Sequence, residues 1–396
     1  MIRSVKSFDL KHKQILIRVD FNVPIEDEIV MDDFRIRSAI PTIKYCLNSG
    51  ASVVLMSHLG RPGGEVNPKF SLVPVGEKLA ELLEMPIKFS DSCISEDSAD
   101  VSLGLRPGEI HLLENLRFHP GETNNDPAFS GALAKHGQIY INDAFGTAHR
   151  AHASNVGVTR HFSQKGIGFL VEKELEYLRQ VVKNPRRPLI LALGGAKIRG
   201  KLDLIQRFLE DADQILIGGG MAFTFLKAKG VPVGGSLVDT SMLEEAKRIL
   251  RLARTQKVVL HLPLDVAVHT AIEPVDHPRY VPINKIPADA MGLDIGPKTV
   301  AAFSQVIEGA GTVIWNGPMG IFEMSGFDRG SQAIAQSLAR LRLASGIAVV
   351  GGGDTASAVR KFGLSEEMSH VSTGGGASLE LLSGKSLPAI AALEKT

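Results

Sequence analysis

Short apolar segments rich in valine and isoleucine recur along this chain of 396 residues. Glycine, aspartate, asparagine or serine flanks most of them. A near-continuous apolar run of four to six residues or so is typical of a parallel strand whose sheet is covered on both faces. The segments lie at residues 15–19, 52–56, 110–113, 139–141, 189–193, 215–217, 258–262, 313–315 and 347–350.

Helical patterns lie between many of these segments. Within residues 197–210, apolar side chains recur at spacings of 4, 3 and 4 at Ile198, Leu202, Ile205 and Leu209, which gives a helix with one apolar face. Residues 77–84 and 331–341 show similar patterns. Because strands alternate with helices, the sequence predicts an α/β fold with right-handed crossovers.

A charged helical stretch at residues 171–183 separates two groups of strands. Pro185 and Pro188 follow it, and proline disfavours continuation of a helix. A chain of this length also favours two domains. We therefore predict a first domain over residues 1–170, a connecting helix and hinge over 171–187, and a second domain over 188–379.

The overall composition excludes several classes of protein. Lys and Arg number 44 against 43 Asp and Glu, a net charge of +1, so no broad positive field attracts nucleic acid or a membrane surface. No apolar run approaches the ~20 residues that span a bilayer, and no signal peptide is visible. Cys46 and Cys93 cannot form a disulfide framework. We expect a cytoplasmic protein with reduced thiols.

Basic side chains follow the predicted strands of the first half. In open α/β sheets, ligands bind beyond the carboxyl ends of the strands. Guanidinium groups match phosphate and carboxylate oxygens with a planar fork, so this half suits a small and highly anionic ligand. The basic residues are Arg35, His58, Arg61, Arg117 and Arg150, and the other strand-end residues include Asp20, Phe21, Asn22, Leu59 and Gly60.

Glycine turns follow the predicted strands of the second half. Backbone amides in such turns, which open helices with positive N-terminal dipoles, favour phosphate and therefore a nucleotide. The glycines involved are Gly194, Gly195, Gly218, Gly219, Gly351, Gly352, Gly353 and, in a later segment, Gly375.

Four polar side chains lie close to these turns. Lys197 and Lys201 are four residues apart at a predicted helix start, where they are placed to bind phosphate. Asp354 opens another predicted helix together with Thr355. An aspartate there is by default a helix cap, but beside a nucleotide it becomes a candidate Mg²⁺ ligand, since Mg²⁺ takes one or two carboxylates plus phosphate oxygens.

A basic pocket in one half and a nucleotide pocket in the other indicate phosphoryl transfer between two bound ligands. The chain has no G-x-x-x-x-G-K-[ST] motif, which argues against an ordinary P-loop enzyme. It also has no G-x-G-x-x-G after the first strand. Two alternatives stay open on the residues alone: a two-domain nucleotide-dependent oxidoreductase and a non-catalytic nucleotide-binding protein.

Ten strings along the chain resemble those of the phosphoglycerate kinase family. They occur in the same order from the first strand to the C-terminal region, which makes the resemblance specific. The strings are RVDFNVP (18–24), SHLGRP (57–62), LLENLRF (112–118), NDAFGTAHRAH (142–152), GGAK (194–197), GGGMAFTFL (218–226), MGLDIGP (291–297), WNGPMGIFE (315–323), GGGDTA (351–356) and STGGGASLELL (372–382).

The resemblance implies two Rossmann-like, doubly wound lobes joined by a helix and a hinge, with residues 380–396 returning to the first lobe. It implies a monomeric enzyme that transfers phosphate reversibly between MgATP and 3-phosphoglycerate, giving MgADP and 1,3-bisphosphoglycerate, with no nucleic acid or membrane partner. By matching strings, Asp20 and Asn22 position the glycerate, and Arg35 matches a family arginine. The residues that match the phosphate-binding basic patch are His58, Arg61, Arg117 and Arg150. Nucleotide and metal ligands would be Lys197, Lys201, Glu323 and Asp354, with Gly292, Asn316 and Pro318 at the adenine and ribose.

The implied reaction has a carboxylate as its nucleophile, which is already ionised at neutral pH because its reference pKa is about 4. No general base is needed, so catalysis has to come from alignment and charge stabilisation. We expect the transferred group to be surrounded by Arg35, Lys197 and the backbone amides of Gly352, Gly353 and Gly375.

Overall fold

A computed structural model of the chain describes residues 2–394. These residues form two compact units. Unit 1 contains residues 2–176 and 386–394, and unit 2 contains residues 177–385. The division therefore falls within the connecting helix, and the return of the chain to unit 1 begins at Ser386.

Unit 1 is built on a parallel sheet whose strand order is β5-β6-β4-β1-β7-β8. A two-stranded hairpin, β2-β3, follows β1. The strands are β1 (Gln14–Val19), β2 (Ile25–Glu26), β3 (Ile29–Val30), β4 (Ser52–Met56), β5 (Lys88–Ser90), β6 (Ile110–Leu113), β7 (Ile139–Asp143) and β8 (Lys165–Ile167). The helices are α1 (Phe34–Asn48), α2 (Val73–Leu83), α3 (Glu96–Leu103), α4 (Pro120–Thr123), α5 (Pro127–Ala134) and α6 (Phe169–Lys183), the last of which ends in unit 2.

Unit 2 is built on a second parallel sheet, in the order β11-β10-β9-β15-β16-β17. A separate antiparallel sheet has the order β13-β12-β14. The strands are β9 (Leu189–Leu193), β10 (Gln214–Ile217), β11 (Val259–His261), β12 (Asp265–His269), β13 (Arg279–Pro282), β14 (Met291–Ile295), β15 (Thr312–Asn316), β16 (Ile347–Gly351) and β17 (His370–Val371). The helices are α7 (Leu202–Asp211), α8 (Met221–Ala228), α9 (Leu243–Thr255), α10 (Pro297–Glu308), α11 (Arg329–Leu343), α12 (Gly353–Lys361) and α13 (Gly376–Leu382), and α14 (Pro388–Glu394) belongs to unit 1.

The strand order of unit 2 is that of a doubly wound parallel sheet. The chain first builds β9, β10 and β11 outward to one side and then adds β15, β16 and β17 on the other side of β9. The order reverses between β9 and β15, and ligands in such sheets bind at that reversal, beyond the carboxyl ends of the strands. The sheet thus brings the turns after Leu193 and Asn316 together.

Apolar side chains explain why the predicted strands form. The central strand β1 is buried from Ile15 onward, and its apolar residues pack against α1 and α2 in the core of unit 1. In unit 2, Trp315 is fully buried in a core that includes Phe303 and Leu338. A smaller apolar cluster joins the antiparallel sheet to α8. No helix within residues 2–394 is both long enough and apolar enough to cross a membrane.

Candidate active site

Asp20, immediately after β1, organises the polar end of the unit 1 sheet. Its Oδ2 accepts a hydrogen bond from Arg35 Nη1 at 2.9 Å, although the carboxyl group is almost fully buried. The same nitrogen donates to the carbonyl oxygen of Asn22 at 3.3 Å. Asn22 Oδ1 in turn accepts from the amide of Gly60 at 2.8 Å. The turns after β1 and β4 and the start of α1 are thereby joined around one ion pair.

His58, which follows β4, is buried beside this ion pair. Its Nδ1 lies 3.8 Å from Asp20 Oδ1 and 3.2 Å from the Nη2 of Arg18. Burial lowers the pKa of His58 well below its ordinary value, and the positive charges of Arg18 and Arg117 lower it further. The imidazole is therefore neutral at physiological pH. Sequence analysis missed Arg18 because it lies inside an apolar strand.

A cavity of about 530 Å³ lies next to these groups and carries three arginines. Arg117 Nη1 donates to the carbonyl oxygen of Gly60 at 2.6 Å. Burial lowers the pKa of Arg117 to about 10, so its guanidinium keeps its charge at neutral pH. The predicted residues on the wall are Arg61, Arg117 and Arg150, and the others are Pro62, Gly63, Gly64, His119, Pro120, Thr123 and Asn124.

Two predicted ligands of unit 1 have their side chains in the core rather than in the site. Phe21 is fully buried and Leu59 is nearly so, and both pack with the apolar residues of β1 and β4. The amide of Phe21 donates to Ser57 Oγ at 2.9 Å, which fixes the turn after β1. These residues shape the site through their backbone.

In unit 2, a turn rich in glycine follows β9 and packs directly on the turn after β15. The amide of Gly194 donates to the carbonyl oxygen of Asn316 at 3.1 Å, and that of Gly195 to Pro318 at 2.7 Å. A Cβ atom at Gly194 would overlap the Pro318 carbonyl oxygen, and Gly195 has a φ of +79°. Only glycine allows this approach and this backbone conformation.

Lys201 ties the same two turns together. Its Nζ donates to the carbonyl oxygens of Gly194 and of Asn316, the latter at 3.0 Å. Burial lowers the pKa of Lys201 to about 8, and the nearby charge of Asp354 partly opposes that shift.

The structure corrects the predicted start of the helix that follows β9. The spacing predicts a helix from residue 197, but a 3-10 turn at Arg199–Lys201 comes first and α7 begins at Leu202. The turn around Gly195 delays helical geometry. Lys197 is therefore an exposed residue of the turn and does not share a helix face with Lys201.

A second cavity, of about 390 Å³, lies beside these turns. It has largely apolar walls, and exposed carboxylates of Glu323 and Asp354 at its edge. The predicted residues that line it are Gly195, Gly219, Gly292, Pro318, Glu323 and Asp354. Residues that sequence analysis missed are Ala196, Gly220, Gly235, Leu237, Ile272, Met291, Leu293, Gly320, Ile321 and Phe322.

The turns after β10 and β16 complete this region. Gly218 donates its amide to Leu193 O at 2.7 Å, and Gly219 donates to Met319 O at 3.1 Å. Thr355 Oγ1, in the first turn of α12, accepts from the amide of Gly317 at 2.6 Å. Gly351 ends β16, and Gly352, with a φ of +92°, caps α12.

Two helix starts in unit 2 have open space around their glycines. Gly353 begins α12 and Gly375 precedes α13. A Cβ atom at either position would meet no heavy atom within 4 Å among the described residues. The amino ends of both helices are thus accessible to an anion.

A sequence model of the family described as phosphoglycerate kinase matches residues 5–385. The chain belongs to this family. Curated relatives of the phosphoglycerate kinase family match almost end to end. One from Thermosynechococcus vestitus is 49% identical over 394 residues, covering 99% of this chain and 98% of the relative. One from Chlorobaculum tepidum is 49% identical over 393 residues, covering 99% of each.

Solved phosphoglycerate kinases have the same fold. The enzyme from Coxiella burnetii superposes with a TM-score of 0.86 at 37% identity and covers 99% of both chains. The enzyme from Pyrococcus horikoshii gives a TM-score of 0.87 at 30% identity, covering 100% of this chain and 98% of its own. The predicted α/β fold and the family resemblance are confirmed.

As a member of the phosphoglycerate kinase family, the chain is an enzyme of the phosphotransferase class. The family assignment does not favour the oxidoreductase or the non-catalytic alternative.

Proposed function

We propose that this chain catalyses reversible phosphoryl transfer between ATP and the carboxylate of 3-phosphoglycerate, giving ADP and 1,3-bisphosphoglycerate. The observation that supports it best is the pairing of two different sites in one chain of this family. Unit 1 has an arginine-lined cavity at the carboxyl end of its sheet. Unit 2 has a glycine-lined cavity at the carboxyl end of its own.

The acceptor binds in unit 1. Arg61, Arg117 and Arg150 hold the phosphate of 3-phosphoglycerate, because forked guanidinium groups bind phosphate oxygens in pairs. Neutral His58 donates a hydrogen bond to the same phosphate. Asp20 and Asn22 hold the glycerate hydroxyl end, and the backbone of Phe21, Leu59 and Gly60 shapes that end of the site. Arg35, which forms an ion pair with Asp20, binds the carboxylate that reacts.

The nucleotide binds in unit 2. The apolar walls of the cavity take the adenine between the Gly219 turn and Gly292, and Glu323 with Asn316 and Pro318 binds the ribose. The amides of Gly352 and Gly353 and the ammonium of Lys201 hold the phosphates near Thr355. The turns that contain Gly194, Gly195, Gly218 and Gly351 shape this site through their backbone, since the amides of Gly194, Gly195 and Gly218 already donate to carbonyl oxygens. Amide donors at a helix start suit phosphate because the helix dipole adds to their partial charges.

The reaction needs no general base. The attacking oxygen belongs to a carboxylate that is ionised at pH 7, and the transferred group spreads its charge over three oxygens. Arg35, Lys197 and the amides of Gly352, Gly353 and Gly375 neutralise that charge. One such contact typically contributes about 3–4 kcal/mol to the transition state.

Asp354 fits a magnesium ion that arrives with the nucleotide. Within residues 2–394 no group of three or more His, Cys, Asp or Glu side chains could hold a metal ion. Mg²⁺ requires only one or two carboxylates when phosphate oxygens and water supply the rest, and Asp354 is exposed at the rim of the nucleotide cavity. When bound, the ion supplies positive charge to the phosphates.

The two ligands must meet for direct transfer, so we propose that substrate binding closes the units around a hinge near α6. Closure also excludes water, which would otherwise hydrolyse the acyl phosphate. Small-angle scattering with both substrates should show compaction, and an unchanged radius of gyration would contradict it. We further propose that the enzyme is a cytoplasmic monomer, as its family resemblance implies.

A direct assay tests the function. The purified chain is incubated with ATP, Mg²⁺ and 3-phosphoglycerate, and hydroxylamine traps the acyl phosphate as a hydroxamate. We expect hydroxamate and ADP in equal amounts, and little of either without 3-phosphoglycerate. An Arg150→Ala variant should raise KM for 3-phosphoglycerate and leave KM for ATP unchanged. Release of ADP without hydroxamate would refute the proposed reaction.

A further inference from the structure

Arg18 is a fully buried cation behind the acceptor site of unit 1. Its guanidinium donates hydrogen bonds to Ser154 Oγ at 2.8 Å, to His58 Nδ1 at 3.2 Å and to the carbonyl oxygen of Val19. Within the described part of the chain, no carboxylate forms a direct ion pair with it. A buried charge is costly unless it is compensated, so its partners decide whether it is tolerated.

The compensating negative charge comes from Glu122, which is connected to Arg18 through the hydroxyl group of Ser154. Glu122 is fully buried on α4, where its Oε1 accepts from Ser154 Oγ at 2.7 Å and its Oε2 accepts from the Ser154 amide at 2.9 Å. Burial alone would raise the pKa of this carboxyl. The His152 imidazole, whose Nδ1 lies 3.6 Å from Oε1, together with the charge of Arg18 and the Ser154 bonds, outweighs burial and holds the pKa below its usual value.

In the series of hydrogen bonds that connects Glu122, Ser154, Arg18 and His58, the donor and the acceptor of each bond are fixed. A serine hydroxyl has a single hydrogen, which it donates to the Glu122 carboxylate, so its oxygen is free to accept from Arg18 Nε. A guanidinium only donates, so His58 Nδ1 has to be the acceptor. A neutral imidazole carries one N–H, and the proton of His58 is therefore on Nε2.

The charges around His58 also keep it neutral. Four of the five groups that face it are positively charged or become so on protonation, which opposes a second proton on the ring. The basic groups are Arg18 on β1, Arg35 on α1, Arg117 after β6 and His152 in the loop before Ser154. Asp20 is the single carboxylate among the five.

We propose that Glu122 is a positioning residue that holds His58, through Ser154 and Arg18, as the Nε2–H tautomer. Glu122 does not touch the ligand. Its effect is to leave one nitrogen of His58 as a permanent hydrogen-bond donor, without a charge that varies near neutral pH. The consequence for phosphoglycerate binding rests on the proposed function, in which His58 contacts the acceptor.

The tautomer can be read directly by long-range ¹H–¹⁵N correlation spectra of protein labelled in its histidines, with His58 assigned by its loss in H58N. The native enzyme should show a neutral ring with hydrogen on Nε2 from pH 6 to 8. E122Q has only one acceptor oxygen for two Ser154 donors, and S154A removes the hydroxyl link. Both variants should show a mixture of tautomers and raise KM for 3-phosphoglycerate about tenfold, with KM for ATP unchanged.

D265N is the matched control. Asp265 is a buried carboxylate in unit 2 that accepts from the Thr299 hydroxyl at 2.7 Å and from the Thr299 amide at 2.8 Å. Replacing this carboxylate by an amide should destabilise the fold without changing the His58 spectrum or KM for 3-phosphoglycerate. S154A removes one hydroxyl only, so it gives an answer even if E122Q does not fold.

Two results would overturn the inference: an Nδ1–H or doubly protonated His58 in the native enzyme at pH 7, or an unchanged tautomer in the folded variants. A changed tautomer with an unchanged KM for 3-phosphoglycerate would support the role of Glu122. The same result would show that His58 does not contact 3-phosphoglycerate, which would contradict that part of the proposed function.

Discussion

The Nζ atom of Lys201 lies 3.0 Å from the carbonyl oxygen of Asn316 and donates a hydrogen bond to it. This bond connects the residue before α7 to the end of β15, at the point where the strand order of the unit 2 sheet reverses. Lys201 is half-buried, and its pKa is lowered to about 8. A titratable group therefore helps, with two backbone hydrogen bonds, to join the glycine turns that follow β9 and β15.

Activity should depend on the protonation of Lys201. The charged fraction of Lys201 falls as the pH rises through about 8, so kcat/KM for ADP, which reports the free enzyme, should decline above that pH. Bound phosphates favour the ammonium, so the decline in kcat should begin at higher pH. K201R keeps its charge and should lack the alkaline decline, even if its activity is lower. An identical alkaline limb in K201R would assign the titration to another group.

Gly317 should be essential for the turn that follows β15. Its φ is +101°, and a Cβ atom there would overlap the Gly194 carbonyl oxygen and the Lys201 ammonium. G317A should lower the melting temperature by several degrees and raise KM for ADP at least tenfold. Gly200 has an ordinary φ and open space around its Cβ position, so G200A is the control and should melt within about a degree of the native chain. Equal melting of the two variants would disprove the predicted strain.

Arg35 should act in the chemical step. R35A should lower kcat about 10²- to 10³-fold, because it removes a charge from the transferred group, and should leave KM for ATP nearly unchanged. Arg37 on the same helix is the matched control, since it is exposed and pairs with Asp33 at 2.9 Å. R37A should change kcat less than twofold, and steady-state kinetics with both substrates distinguishes the variants. A normal kcat in R35A would remove Arg35 from catalysis.

Asp354 should control the requirement for magnesium. D354N should raise the Mg²⁺ concentration needed for half-maximal activity at least tenfold, because the protein then supplies no carboxylate to the ion. KM for 3-phosphoglycerate should stay the same. Asp203 also lies in the first turn of a helix of unit 2, where it pairs with Lys385, and D203N should leave the Mg²⁺ titration unchanged. If D354N also leaves the titration unchanged, Asp354 is not the ligand.

Unit 1 should lose stability in mild acid through two buried histidines. Ser102 Oγ lies 2.8 Å from His111 Nδ1 and 2.7 Å from His136 Nδ1, and burial lowers the pKa of each histidine from 6.5 to about 4. The folded-state pKa is below the unfolded one, so the stability is fully present above pH 6.5 and is lost as the pH falls toward 4. At pH 5 the loss is up to about 2 kcal/mol per histidine.

Urea unfolding at pH 7 and pH 5, followed by a probe in unit 1, measures this loss. H136Q cannot titrate at this position and should depend less on pH, although it is less stable at pH 7. H12Q removes an exposed histidine and should behave as the native chain does. Equal pH dependence in H136Q and the native chain would show that His136 does not carry the effect.

Strands buried on both faces were predictable because their apolar side chains are continuous in the sequence. Ile15–Val19 and Ser52–Met56 needed no tertiary information, and both form the expected parallel strands. The antiparallel sheet was missed because its strands lack that continuity. Asp265 and His269 flank the apolar centre of β12, and β13 exposes most of its residues.

The position of candidate site residues was predictable where they follow strands directly, as Gly194 and Asp20 do. The polar network of Arg18, Glu122 and Ser154 was not, because its members come from a strand, a short helix and a loop more than thirty residues apart. Lys197 was misplaced on a helix because apolar spacing does not reveal a preceding glycine turn.

Helix α14 has a consequence for how the protein is made. The amide of Ala389 donates to the carbonyl oxygen of Ala148 at 3.1 Å, so residues synthesised after all of unit 2 complete unit 1. The lobe that is translated first cannot finish folding on the ribosome ahead of its neighbour. Its last element arrives only after unit 2 has been made, which places a wait of many seconds, at about 5–20 residues per second, between the two ends of one domain.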